Sequence, residues 1–348
     1  MHDLRNFTLP ELEELVTKKG QSKFRAKQLY SGIYKGNTDL RQIKSIPATF
    51  LSELRKSCVI GNVNPERRQN SSLDGTEKFL FALNDGNKIE SVFMKYKYGN
   101  SLCISSQAGC RMGCAFCASG LDGLARNLTA GEMISQVLET ERITGEKVSR
   151  IVVMGTGEPF DNYEALSRFI KIMNDPNGRK MGMRNLTVST CGIVPVMYEF
   201  AKDFPQVNLA VSLHASTDKA RGVMMPINRK YPVDELIEAA KNYTHATRRR
   251  ITFEYALICG VNDDGESIGE LADLLSGLLC HVNLIPLNPV TERNFKSSGR
   301  RRAKQIAAYL NENGIPATVR RQLGLDISGA CGQLRLSDSK GENISKPI

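Results

Sequence analysis

The chain has 348 residues, 41% of them hydrophobic, and carries 47 Lys and Arg against 37 Asp and Glu for a net charge of +10. That length allows one large domain with an accessory, or two domains. No apolar run approaches the roughly eighteen residues of a membrane helix, and the start MHDLRNFTLPELEELV lacks a basic-then-apolar signal pattern, so a cytoplasmic protein with no membrane partner is expected.

Residues 1–62 read as a small helical unit, with apolar residues at helical spacing in LPELEELVTKKG, KFRAKQLYSGIYKG and LRQIKSIPATFLSELRKS. It is strongly basic. From Lys18 to Arg68 twelve Lys or Arg face three acids (Asp39, Glu53, Glu66), a balance of +9 in 51 residues, which favours a polyanion such as nucleic acid as partner. Residues 63–95 shift to short alternating stretches, EKFLFALNDGNKIESVFMKYKYGNSLCISSQ continuing them, with turns marked by Asp85-Gly86 and Gly99-Asn100. This is a β-rich connecting segment.

The span 96–334 forms the core. Thr129 and Glu132 make a capping box that opens a helix to about Ile143. Strands at RIVVMG, NLTVST, VNLAVSLHA, ITFEYALI, HVNLIPL and ATVRR then alternate with helices near YEALSRFIKIM, PVMYEFAK, VDELIEAAKNYT, SIGELADLLSGLL and RRRAKQIAAYLNENG. Such alternation predicts an α/β fold of parallel strands with right-handed crossovers. It closes into a partial barrel or stays an open doubly wound sheet; periodicity alone favours the open sheet. Small polar residues gather where the strands end: Gly155-Thr156-Gly157-Glu158-Pro159, Ser189-Thr190, Ser212-Leu213-His214 and Asn288-Pro289. The carboxyl ends of parallel strands form the active-site face, so a shared ligand site is expected there. Residues 335–348 are polar and expected to be a mobile tail.

Nine cysteines, an odd number, argue against a disulfide framework. Three of them, Cys110, Cys114 and Cys117, fall within eight residues in GCRMGCAFCASG. Zinc sites pair cysteines and complete the set with a second pair or histidines, and a zinc borrowing His214 stays open on spacing alone. Ferredoxin-type clusters use four cysteines; three thiolates on a four-iron cubane leave one iron for a ligand that is not protein.

The C-x3-C-x2-C spacing, with GTGEP at Gly155 to Pro159, resembles the radical S-adenosylmethionine superfamily. That resemblance implies a partial (βα)6 barrel with a small N-terminal helical accessory domain. It also implies a [4Fe-4S] cluster on Cys110, Cys114 and Cys117, whose open iron chelates S-adenosylmethionine. Further motifs narrow it: SLCISSQAGC around Cys103, DISGACGQL around Cys331, and RNLTAGEM, SLHAS, MPINRKYP and NLIPLNP between them. From about Val63 to Gln333 they closely resemble the RlmN and Cfr family of RNA adenosine methyltransferases.

The chemistry this implies answers a difficulty. Carbons 2 and 8 of adenine are electron-poor and supply no nucleophile for ordinary methyl transfer. In the family, two molecules of S-adenosylmethionine are used per turnover. One methylates Cys331; the other yields a radical that takes a hydrogen from the new S-methyl group. The resulting carbon radical joins Cys331 to the base, Glu90 accepts the ring proton, and Cys103 resolves the adduct through a transient disulfide with Cys331. By the same match Gly157, Glu158, Ser189, Ser212, Leu213, His214 and Asn288 form the S-adenosylmethionine site. The substrates implied are an adenosine in the peptidyl-transferase region of 23S rRNA and the adenosine 3′ of the anticodon in tRNA, with flavodoxin or ferredoxin as electron donor and a monomeric enzyme. Pro159 and Pro286 speak for the carbon 2 branch over the carbon 8 (Cfr) branch; Thr156 and Leu287 depart from the family's usual residues. A non-catalytic RNA-binding protein with structural zinc, and a radical enzyme acting on a small molecule, are the contrasting readings. Cys58, Cys191, Cys259 and Cys280 match no motif and read as structural.

Overall fold

Three helices open the chain in the computed structural model, which describes residues 1–288, 290 and 292–334. Pro289 and the expected tail at 335–348 lie outside the described residues. The helices are α1 (Leu9–Lys18), α2 (Lys23–Tyr34) and α3 (Ala48–Leu54). Each buries an apolar stripe, Leu9, Leu12 and Val16 on α1 for example, because residues three and four apart share a helix face. These stripes run into the same apolar core as the rest of the molecule. Arg5, fully buried, helps to dock the unit, donating to Asn62 Oδ1 at 2.8 Å and to Ser135 Oγ at 2.7 Å.

Ten strands form one sheet: β1 (Asn64–Asn70), β2 (Glu77–Ala82), β3 (Lys88–Tyr96), β4 (Gly99–Ile104), β5 (Arg150–Val153), β6 (Leu186–Thr190), β7 (Asn208–Ser212), β8 (Ile251–Leu257), β9 (Cys280–Pro286) and β10 (Ala317–Val319). Their order in space is their order in the chain. β1 to β4 pair antiparallel; β4 to β10 pair parallel. Crossovers run through α4 (Ala130–Thr144), α5 (Tyr163–Asn174), α6 (Val194–Asp203), α8 (Val233–Thr247), α9 (Gly265–Leu275) and α10 (Gly299–Glu312), with the short α7 (Asp218–Met224) after β7.

This order overturns the open sheet that periodicity favours. A doubly wound sheet reverses its strand order at a switch point; here no reversal occurs, so successive right-handed crossovers carry the helices to one face and curve the other into a lumen. The architecture is a partial (βα)6 barrel with β10 added at one edge and the antiparallel β1–β3 at the other. Its first barrel strand is β4, ahead of the cysteine loop.

Alternation along the strands decides what fills the lumen. On β6, Leu186 and Val188 enter the outer core while Ser189 faces inward; on β7 Leu209 and Val211 do so opposite Ser212. Period-2 side-chain direction thus turns mixed apolar and polar strands into an apolar outer layer and a polar inner wall. The expected capping box is present: Thr129 Oγ1 accepts from Glu132 N at 3.1 Å and Glu132 Oε2 accepts from Thr129 N at 2.9 Å. The sequence reading did not resolve β1 or α7. β1 is a polar edge strand with no apolar alternation, and α7 is only seven residues long. No helix among the described residues is long and apolar enough to cross a membrane.

Candidate active site

At the carboxyl ends of the strands a cavity opens to solvent. Its wall includes Cys110, Cys114, Cys117, Gly157, Glu158, Ser189, Ser212, His214, Asn288 and Cys331. The chain therefore brings together the cysteine loop, four polar strand ends and a cysteine from its far end.

The cysteine loop is closed at its base by a short antiparallel pair, Gln107–Gly109 with Leu124–Asn127. Gly109 sits at φ +78°, where a Cβ would lie 2.0 Å from Gly123 O, so only glycine permits the closure. Ala115 N donates to Met224 O at 2.8 Å, fastening the loop to the end of α7. Burial raises all three thiols, Cys110 to about 11. An array of thiols held reluctantly neutral is what a thiolate-binding metal centre offsets, since coordination removes the proton. Among the described residues no three His, Cys, Asp or Glu side chains are placed to hold a single metal ion. The three thiols line a common wall, a donor set of the kind an iron–sulfur cluster takes.

The loop after β5 packs tightly. A Cβ on Gly155 would meet Ile104 C at 2.7 Å, and one on Gly157, at φ +108°, would meet Gln107 Cβ at 2.6 Å. Both glycines let the backbone reach the cavity. Glu158, buried and raised above the usual carboxylate range chiefly by that burial, accepts from Thr190 Oγ1 (2.7 Å), Cys191 N (2.7 Å) and Phe160 N (3.0 Å). Its carboxylate thus braces the end of β6. His214 lies at φ +59°, rare for a non-glycine. Its Nδ1 accepts from Ala256 N at 2.9 Å, which puts the proton of the neutral ring on Nε2, and burial pushes its pKa down to about 3. Leu213 sits apart from the others: its side chain is fully buried in the outer core, and only its main chain takes part, donating to Glu254 O and accepting from Arg221.

Asn288 Nδ2 donates to Cys331 O at 3.0 Å, while its Oδ1 accepts from Gln322 at 3.0 Å. The loop bearing Cys331 also bonds to the cysteine loop, with Ala118 N donating to Gly332 O at 2.9 Å and Ser119 Oγ to Leu334 O at 3.0 Å. Behind it lies Cys103 on β4, packed with Val92, Met94, Leu323 and Leu334. Burial pushes this thiol up to about 12, the charge of Cys331 adds to the rise, and the Arg320 guanidinium opposes it. All nine cysteines are free thiols. Glu90, on β3, does not line the cavity; it is buried to the side in an ion pair with Lys78 at 3.0 Å.

The sequence reading missed three groups here. Glu254 on β8 is buried in the lumen, accepting from Asn283 Nδ2 at 2.9 Å and lying 3.5 Å from Arg320. Arg320, just past β10, lies beside Cys331, Glu254 and Cys103, and these acidic neighbours hold its proton more firmly. Arg221, fully buried on α7, ties together Cys191 O (2.7 Å), Ser212 O (3.2 Å) and Leu213 O (3.2 Å) under the strand ends. An acid inside the apolar run ITFEYAL was the available signal for Glu254. Nothing in the pattern marks the arginines.

A partial barrel with a three-cysteine loop at the mouth of its first strand defines a radical S-adenosylmethionine enzyme, and residues 104–275 match the model of the Radical SAM superfamily. A solved radical SAM methyltransferase from Sphaerobacter thermophilus superposes with a TM-score of 0.92 at 45% identity, covering 96% of this chain and 99% of that one. Curated relatives include the "Probable dual-specificity RNA methyltransferase RlmN" of Thermoanaerobacter sp. (strain X514), 49% identical over 96% of this chain and 98% of its own length. The protein of the same name from Clostridium botulinum (strain Alaska E43 / Type E3) is 48% identical over 97% of each. The chain belongs to the RlmN family of radical SAM RNA methyltransferases, whose cofactors are a [4Fe-4S] cluster and S-adenosylmethionine.

Proposed function

We propose that the protein methylates carbon 2 of adenosine in 23S rRNA and in tRNA, with Cys331 as the sulfur that carries the methyl carbon. The observation that supports this best is the single cavity shared by the three-cysteine loop, the polar strand ends and Cys331, with Cys103 packed behind. Cys110, Cys114 and Cys117 would hold the cluster. Gly157, Glu158, Ser189, Ser212, Leu213 through its main chain, His214 and Asn288 would form the S-adenosylmethionine site. Bound there, the cluster and two molecules of S-adenosylmethionine per turnover supply the methyl group and the one-electron chemistry that opens an unactivated C–H bond.

The protein's own residues do the rest. Asn288 holds the Cys331 main chain at the cavity wall, so the sulfur presents its methyl carbon to the lumen. Once that carbon is bonded to the base, the adduct carries one unpaired electron, which the cluster in its oxidised form would accept; Glu90 takes the ring proton as a carboxylate, the C–H electron pair staying with the ring. Cys103 then attacks the Cys331 sulfur as a thiolate. An S–S bond forms as the S–C bond breaks, its electron pair returns to carbon, and the methyl group is completed by a proton; an external reductant reopens the disulfide. Arg320 lies beside both sulfurs, and its charge opposes the rise that burial gives the Cys103 thiol.

RNA would be gripped by the basic N-terminal unit. A groove beside α2 is lined by Lys27, Lys35 and Lys44, with no acid in its wall and with Phe24 at its rim, 64% exposed. Lysines for phosphates and an exposed ring for a base are the elements of a nucleic-acid groove. The enzyme acts as a cytoplasmic monomer reduced by flavodoxin or ferredoxin.

The test is mass spectrometry of nucleosides from 23S rRNA and tRNA after anaerobic reaction with reduced enzyme and methyl-labelled S-adenosylmethionine. Labelled 2-methyladenosine in both RNAs is the expected result. Labelled 8-methyladenosine would overturn the position assigned, and no labelled adenosine from cluster-loaded protein would overturn the substrate.

A further inference from the structure

Lys78 and Glu90 make a nearly dry ion pair, their side chains 9% and 5% exposed and Nζ 3.0 Å from Oε1. Register puts the pair beside the site, on the face that carries Cys103. Lys78 on β2 stands opposite Val92 on β3, and Val92 stands opposite Cys103 on β4. Residues opposite one another share a face, as do residues two apart on a strand, so Lys78, Glu90 and Cys103 all lie on the face that the Cys331 loop covers. The ammonium has a second partner in that loop: Nζ donates to Ser328 O at 3.4 Å, three residues before Cys331. Ser328 itself is held at φ +49°. Further out, Ser71 and Ser72 bond Asp326, and Asp74 accepts from Gly324 N at 3.0 Å.

We infer that Lys78 is a positioning residue for the methyl-handling chemistry, holding Glu90 as an ionised proton acceptor and fastening the Cys331 loop over it through the Ser328 carbonyl. The inference rests on the roles proposed above for Glu90 and Cys331. Taking a carboxylate out of water favours its neutral form, and a neutral acid accepts no proton; a cation in contact restores the charged form. An ammonium suits the task because one nitrogen carries three donors that can serve the acid and the loop at once, whereas a guanidinium fork of fixed shape fits the pair of partners less well. Acid and loop are thereby assembled by the same nitrogen.

The experiment compares Lys78→Met, Lys78→Gln and Glu90→Gln, with the double variant Lys78→Met/Glu90→Gln, as full chains carrying reconstituted cluster. Measured per methylated Cys331, release of methylated RNA from the covalent adduct is expected to slow roughly a hundredfold in each, the scale of a lost proton acceptor. The double variant should be no slower than Glu90→Gln, because the two side chains act as one unit. Amide exchange across 324–334 should quicken in Lys78→Met and stay unchanged in Glu90→Gln, a readout independent of turnover. Should Lys78→Met fail to hold its cluster, Lys78→Gln decides, with slow release expected. Release at the unaltered rate from either Lys78 variant, or effects that multiply in the double variant, would overturn the inference. If the unaltered enzyme forms no RNA adduct, the reading of Cys331 fails, and this inference with it.

Discussion

The two halves of the cavity are held by different means. The cysteine loop and the strand ends are fixed by the barrel: glycines that admit no Cβ, the Glu158 brace, and Arg221 beneath the strand ends. The half proposed to handle the methyl group joins Lys78 and Glu90 on the sheet extension, and Cys103 on the first barrel strand, to Cys331, 228 residues beyond Cys103 in the chain, through hydrogen bonds to one loop. A rigid half suits a group that must not move. A half built from a bonded loop would suit the role proposed for Cys331, whose sulfur would meet first a donor and then a base.

If the halves are separable, substitutions should split them, and the largest split comes from the cysteines. Cys331→Ala is expected to abolish methyl transfer to RNA while iron and sulfide per chain stay as in the unaltered protein, read by elemental analysis beside label transfer. Cys114→Ala should lose the cluster and all activity together. Cys331→Ala protein that still methylates RNA would break the comparison outright. Next in size is Cys103→Ala, which leaves the adduct unresolved: one turnover at most, and an RNA–protein band on a denaturing gel.

A smaller effect tests the rigid half through pH. His214 is buried neutral with a pKa near 3, against about 6.5 in the unfolded chain. The unfolded state therefore binds more protons between those values, so this group's contribution is complete above pH 6.5 and is lost as pH falls toward 3. The slope is at most about 1.4 kcal/mol per pH unit. Melting temperatures of the cluster-free protein from pH 7 to 4 should fall less steeply in His214→Gln; parallel curves would show that the ring is protonated without penalty.

The rigid half was largely legible in the sequence, and for a local reason. Three cysteines in eight residues declare themselves, and period-2 strands ending in Ser189, Ser212 and His214 announce an inner wall. In the half proposed to handle the methyl group, only the family motifs point to Cys103, Glu90 and Cys331; the structure packs Cys103 against the Cys331 loop and leaves Glu90 to the side, paired with Lys78. Lys78 sits in TEKFLFAL as a polar residue alternating with apolar ones, the pattern of a solvated strand face. That face is dry because a loop 250 residues away covers it, and no local pattern encodes such a cover. Arg320 and Arg221 escape notice likewise, since their partners are main-chain carbonyls and acids brought near only by the strand order.

The finest test of the comparison is the outermost bond of the loop. Asp326 is exposed, yet it accepts from Ser71 Oγ at 2.7 Å, Ser72 N at 2.9 Å and Ser72 Oγ at 3.1 Å, and these bonds, with Ser71 foremost, hold its carboxyl below the usual range. A depressed acid stabilises above its unfolded pKa and loses that contribution as pH falls through the folded value. Solvent screening keeps the whole effect under about 1 kcal/mol. Asp326→Ala should therefore leave the melting temperature almost unchanged at neutral pH while amide exchange across 324–334 quickens by no more than about fivefold. Exchange in the cysteine loop should not follow. If it does, the bonds from Ala118 and Ser119 to the Cys331 loop carry the disturbance across, and the two halves are one unit.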